Sequence, residues 1–192
     1  MPEQLIVLAS GSKIRQMMLD EAGVSFIVIK SQVDEKLIKS SFVNESFSER
    51  VKELAKAKAR EVSKSHPDAL VIGADQMCVL GNKIFDKPKI FKKAVENLSE
   101  LSGKTHKQYS GVCLYKDSSF LWEHAESADL TMKDLSLKQI KNYIKEDNPL
   151  ECCGCYKYES KGSKLFDSVI GSDNVIKGLA LEALLDALKE YN

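Results

Sequence analysis

One stretch constrains this chain more than any other: residues 70–88, LVIGADQMCVLGNKIFDKP. Residues 70–74 read as a buried strand, yet Asp75 and Gln76 follow at once. A second apolar run from Met77 to Leu80, a Gly81-Asn82 turn and a short return to Asp86-Lys87-Pro88 complete a hairpin. The expected geometry puts an acid and an amide at the carboxyl end of a strand, the edge where ligands bind in open α/β sheets. Gly73 and Ala74 leave room there for something to approach the backbone. Lys87, returning through the hairpin, could supply a cation near the same spot. These residues alone also admit a plainer reading, an Asp that caps a turn with Lys87 solvated.

The flanking segments alternate in type. Gln4 to Ala9 is a short strand candidate, followed by Ser10-Gly11-Ser12 and a helical pattern with Ile14, Met17, Met18 and Ala22 on one face, stopped by Gly23. A strand, a Ser-Gly-Ser loop and a helix N-terminus can hold an anion through loop amides and hydroxyls; Ser12 as a simple N-cap is the alternative. Lys13 and Arg15 in the first turn oppose the helix dipole unless they meet an anion. Val24 to Lys30 reads as a second strand. Asp34 and Glu35 in the following loop either hold a divalent metal or are solvated. Ser46-Phe47-Ser48-Glu49 is a capping box opening a helix to about Ser65, with the stripe Val51, Leu54, Ala55 and Val62. Lys58 falls on that stripe, so it either snorkels at an edge or reaches an anion inside a cleft. A helix over 91–101, long strands over 104–115 and 119–132, a helix over 136–146, a strand near 165–170 and a last helix over 179–191 complete the pattern. Strands alternating with helices, with one long hairpin inserted, predict an α/β or mixed α+β fold, two lobes around a cleft.

Lys+Arg and Asp+Glu are both 28, which argues against a large nucleic-acid-binding face while leaving room for a small phosphate pocket. No run approaches the roughly 20 apolar residues of a membrane span, and the N-terminus lacks the basic start and long apolar core of a signal peptide. The expected location is the cytosol. The five cysteines are Cys78, Cys113, Cys152, Cys153 and Cys155. Their odd number fits reduced thiols. The CCGC cluster suits small buried thiols better than zinc, because the histidines form none of the usual ligand spacings.

LASGSKIR, VDE, LAKAKA, GADQ, DKP and NVIKGLALEAL, in this order and at fitting separations, together resemble the Maf family of nucleotide pyrophosphatases. The likeness runs from about Leu5 to the C-terminal helix. It implies a single domain over residues 1–192 with an α/β mixed sheet, two lobes and a central cleft, Maf/ITPase-like. It implies hydrolysis of nucleoside triphosphates to monophosphate and pyrophosphate, a house-cleaning step against non-standard nucleotides. A divalent cation (Mg²⁺ or Mn²⁺), a cytoplasmic location and a homodimer are implied too, with no nucleic acid or membrane as partner. Motif by motif, the resemblance makes Asp75 the catalytic residue, with Glu35 and Asp75 toward the metal. Ser10, Ser12, Arg15, Lys58 and Lys87 fall on substrate-binding positions. The family's SxSPRR start appears as Ser10-Gly11-Ser12-Lys13-Ile14-Arg15, with Lys13 for proline and Ile14 for the first arginine. The late glycine loop matches at Gly154 to Glu159, with Ser160 where the family has glycine.

Three base-reading positions fall on Ile14, Gln76 and Glu159. The subgroup acting on dTTP and UTP typically has arginine, threonine and glutamine there; the 7-methyl-GTP subgroup has tryptophan, glutamine and glutamate. Two of three match the second group. A carboxylate at Glu159 can accept from the Watson–Crick edge of guanine and tolerate an N7-methylated base, whereas Ile14 offers no aromatic face to that cation. Two other readings stay open: a pyrophosphatase preferring dTTP or UTP, and a nucleotide-binding regulatory protein without turnover.

Overall fold

The structure is a computed structural model that describes residues 4–191. In chain order the elements are β1 (Ile6–Leu8), α1 (Lys13–Glu21), β2 (Ile27–Val28), α2 (Glu35–Ser40), α3 (Phe47–Ser65), β3 (Leu70–Leu80), β4 (Lys83–Phe85), α4 (Phe91–Leu101), β5 (Thr105–Lys116), β6 (Ser119–Met132), α5 (Leu137–Asp147), β7 (Phe166–Ile170), α6 (Asp173–Lys177) and α7 (Leu181–Tyr191). Short 3₁₀ turns lie at Cys153–Cys155 and Lys161–Leu165. The strands form one mixed sheet in the order β2-β1-β3-β5-β6-β7, with β4 paired to β3. The expected mixed α/β class is the one observed. The chain divides into two compact units: residues 4–76, 110–126 and 178–191 form the first, and residues 77–109 and 127–177 the second.

In the first unit β1 is the centre of a parallel trio, with Leu8 opposite both Val28 and Ile72. Val7, Ala9, Val71, Cys113 and Tyr115 from the strands meet Ala55, Ala59 and Val62 of α3 in one core. α3 starts where Ser46 accepts a hydrogen bond from the Glu49 amide, and its buried face includes Val51, Leu54, Ala55, Lys58 and Val62, as the stripe predicts. Two glycines set how close it comes. A Cβ on Gly73 would lie 2.2 Å from the Ala55 carbonyl oxygen, and one on Gly111 2.7 Å from that of Val51. The space left at Gly73 thus admits the backbone of α3, not a ligand as the sequence suggested.

Three further elements differ from the sequence expectation. β3 does not end before Asp75; it stays extended through Asp75 and Gln76 to Leu80, so neither residue caps a turn. On α1 the buried residues are Arg15, Met18 and Leu19, whereas Met17 is half exposed, so the inward face is rotated from the one expected. The second strand shrinks to the two residues of β2. The β5–β6 hairpin turns at Asp117 and Ser118, both at positive φ (48° and 60°), the geometry of a two-residue turn matched to strand twist.

In the second unit β4 pairs antiparallel with the end of β3, Cys78 opposite Phe85. α5 carries a complete capping box between Ser136 and Gln139 and ends on Asn148 at φ 46°. The loop after α5 is tied to β5 through Tyr156. Tyr156 Oη lies 2.8 Å from His106 Nε2 and accepts from Gln108 Nε2 at 2.7 Å; all three residues are buried. Gly154 packs on Cys78, with a built Cβ 2.8 Å from its Sγ. Burial pushes the Cys155 thiol up to about 12, which keeps it protonated; Cys152 and Cys153 are only partly buried, so the expectation of buried thiols holds for Cys155 alone of the three. Among the described residues no helix is long and apolar enough to cross a membrane.

Candidate active site

The parallel pairing of β1 with β3 brings the loop after β1 beside the middle of β3. The Ala9 amide donates to the Ile72 carbonyl at 2.8 Å, so Ser10 follows next to Gly73 and Ala74. Ser12 sits at the N-cap of α1, but its side chain makes no capping bond; its amide instead donates to Ser10 Oγ at 3.3 Å. Arg15, in the first turn of α1, donates through Nη1 to Ser10 Oγ at 3.0 Å and to the Ala74 carbonyl at 2.9 Å. Ser10, Arg15 and the residues entering Asp75 are therefore one local assembly.

α3 supplies the other side. With its backbone against Gly73, Lys58 is placed three residues after Ala55 and Asp75 two residues after Gly73. Their side chains meet: Lys58 Nζ donates to Asp75 Oδ1 at 2.5 Å. Lys58 and Asp75 are only 8% and 7% exposed, so this ion pair is sheltered from water and salt. Lys58 is thus an inward cation and not a snorkelling one. The same ammonium reaches Glu35 Oε1 at 2.8 Å. Glu35 is the first residue of α2, because Asp34 accepts from the Lys36 and Leu37 amides and caps that helix. Of the two adjacent acids, one is a cap and the other faces the lysine.

Glu35 and Asp75 are hard oxygen donors sharing one cation, and such a pair suits Mg²⁺ or Mn²⁺ when phosphate oxygens and water complete the shell. Among the described residues, no group of three or more His, Cys, Asp or Glu side chains is gathered to hold an ion by itself. The donor set fits a metal carried in with a polyphosphate better than an all-protein cage.

Gln76, the residue after Asp75, lies against Gly178, whose carbonyl accepts from Arg15 Nε at 2.7 Å. Ile14 is half buried on α1. Lys87 and Glu159 belong to the second unit and are exposed. Both are near Cys152, whose thiol rises to about 11 through burial first and then through the Glu159 charge, with Lys157 and Lys87 pulling it down. Two residues escaped the sequence reading. Gly178 sits inside NVIKGLALEAL with no mark of its role except being a glycine before a helix. Lys30 runs its stem past Gly11, with Cδ 3.3 Å from a Cβ built there, a packing that no spacing rule announces.

A family model described as Maf-like protein matches residues 5–191. A nucleoside triphosphate pyrophosphatase of Legionella pneumophila (strain Corby) is 42% identical over 95% of this chain and 92% of its own length. One from Paramagnetospirillum magneticum is 43% identical over 96% and 97%. A 7-methyl-GTP pyrophosphatase of Rhizobium johnstonii is 36% identical over 96% and 95%.

Proposed function

Since the chain belongs to the family of Maf-like proteins, matched over residues 5–191, we propose that it is a nucleoside triphosphate pyrophosphatase acting as one catalytic domain. The observation that carries this reading is the buried Lys58–Asp75 pair, with Glu35 on the same ammonium, beside the Ser10–Ser12 loop. A sheltered acid beside that loop supplies the general base that hydrolysis needs and that binding alone does not.

In this reading the Ser10 and Ser12 hydroxyls and the positive charge of Lys58 hold the triphosphate, while Arg15 supports the loop from behind through Ser10 Oγ. Asp75 takes a proton from water as the water oxygen bonds to the α-phosphorus. The bond from that phosphorus to the oxygen bridging the β-phosphate breaks, and pyrophosphate leaves with the electron pair. Lys58 orients the Asp75 carboxylate and offsets charge that builds on the phosphate oxygens, the kind of preorganised electrostatics that dominates phosphoryl transfer. Glu35, Asp75 and Lys58 together carry a net charge of −1, which repels a polyanion by itself. A divalent ion held by Glu35 and Asp75 would offset that charge and neutralise the phosphates when bound.

For Lys87 and Glu159, roles in phosphate and base binding rest on the motif correspondence alone. Gln76 and Glu159 favour a guanine-type base such as 7-methyl-GTP, and Ile14 departs from that subgroup's tryptophan. A cytoplasmic homodimer follows from the same correspondence. The test is pyrophosphate release from a panel of nucleoside triphosphates, with and without Mg²⁺, by the wild type and Asp75→Asn. The expected result is Mg²⁺-dependent release that the variant lowers by about 10³-fold or more with the fold intact. Equal release by the variant removes Asp75 from the chemistry. No release from any nucleotide leaves the binding-protein reading.

A further inference from the structure

Arg15 falls on a phosphate-binding motif, yet its geometry is turned inward. A guanidinium presents five N–H groups. Three of them are spent within the protein: Nε on the Gly178 carbonyl at 2.7 Å, and Nη1 on Ser10 Oγ at 3.0 Å and the Ala74 carbonyl at 2.9 Å. The residue is only 7% exposed. A residue whose main task is to clamp phosphate presents its fork to the ligand.

The three acceptors share a pattern. Ser10 is the start of the phosphate loop, Ala74 immediately precedes Asp75 and Gln76, and Gly178 touches Gln76. Gly178 has φ +104°, and a Cβ built on it would stand 2.9 Å from Gln76 Oε1 and 3.2 Å from its Cδ. Only a residue without a side chain leaves that amide where it lies, and φ +104° is a backbone angle that residues with side chains rarely adopt.

We propose that Arg15 and Gly178 form a positioning brace: Arg15 ties the phosphate loop and the Ala74–Asp75 backbone to Gly178, and Gly178 fixes the Gln76 amide against which the base is read. Gly178 is in this way a specificity-determining position that touches no phosphate. The proposal rests on the reading that Gln76 faces the base.

The experiment measures equilibrium binding of non-hydrolysable guanine and uracil nucleoside triphosphates, and of inorganic tripolyphosphate, to the full-length protein with Mg²⁺. Wild type, Gly178→Ala, Gln76→Ala and the double variant form a cycle. The expected result is a change of about tenfold in the guanine-to-uracil ratio for Gly178→Ala, with the double variant no different from Gln76→Ala, since coupled neighbours are not additive. Tripolyphosphate, which has no base, should bind Gly178→Ala within about twofold of wild type. An even loss across both nucleotides, or effects that add in full, overturns the brace.

Arg15→Lys provides a second decision, should Gly178→Ala fail to fold. It keeps the charge and loses the fork. It should shift the same guanine-to-uracil ratio while changing tripolyphosphate affinity less than about threefold. A tenfold loss of tripolyphosphate affinity with the ratio unchanged would instead identify a phosphate clamp. Because these are binding ratios, they decide the brace even if the wild type releases no pyrophosphate, an outcome that bears on the hydrolase reading alone.

Discussion

Lys58 meets two carboxylates with one charge, and it does so almost out of water. Breaking a buried pair by removing one partner typically costs about 3–5 kcal/mol, because the remaining charge is stranded. Lys58→Ala should therefore lower kcat and raise KM in pyrophosphate release while also lowering the urea midpoint; a lysine that merely lined an edge would leave all three unchanged. A second buried group makes a prediction about acid. Burial lowers His106 to about 4, with the Asp129 charge opposing that shift. The unfolded chain takes up the proton near pH 6.5 and the folded one only near 4, so the unfolded state binds more protons between those values. His106 thus contributes nothing above pH 6.5, and stability falls as the pH drops from about 6.5 to 4, by about 3 kcal/mol at the end of that window. Urea titrations across that range should show a shallower fall for His106→Gln than for wild type. An identical slope in the two proteins removes His106 as the cause.

At the scale of elements, the site is built by how α3 lies on the strands. Its backbone rests on Gly73 and Gly111, where any side chain would strike a carbonyl. Gly73→Ala forces helix and strand apart. It should cost about 1–3 kcal/mol in chemical denaturation, as overpacking does, and lower kcat further because Lys58 and Asp75 ride on the two displaced elements. Unchanged stability would mean that α3 gives way without strain. α3, α4 and α5 were legible because their signals are local: Ser46 and Ser136 cap, Gly103 and Asn148 stop, and apolar residues recur at helical spacing. β3 was misjudged at Asp75 for the opposite reason. A charged residue inside a strand is tolerable only with a partner, and that partner lies 17 residues earlier on a helix, which no short window contains. α2 is hidden in the sequence because Asp34, which reads as a metal ligand or a solvated acid, is its cap.

Over the whole molecule, the strand–helix alternation indicates a mixed α/β chain, and six short motifs indicate its family. Neither could foresee which motif residues share hydrogen bonds. Ser10, Arg15 and Gly178 span 168 positions, yet one guanidinium joins them. A ligand that uses such an assembly should stabilise all of it. Binding at 100 times Kd adds about 2.7 kcal/mol, or roughly 5–10 °C in Tm for a chain of this size. Tripolyphosphate with Mg²⁺ should raise the wild-type Tm by that order and that of Lys58→Ala by much less; equal shifts would move the phosphate site away from Lys58. One further consequence follows from β3 remaining extended through residues 75 and 76. Neighbours on a pleated strand leave from opposite sides of the sheet. The acid shares its side with Gly73 and the helix that rests there, while the amide shares the other with Ala74. On the proposed function, bond cleavage and base choice would be split between the two surfaces of a single ribbon. A substitution at Gln76 would then change the preferred base without disturbing the Lys58–Asp75 pair on the reverse.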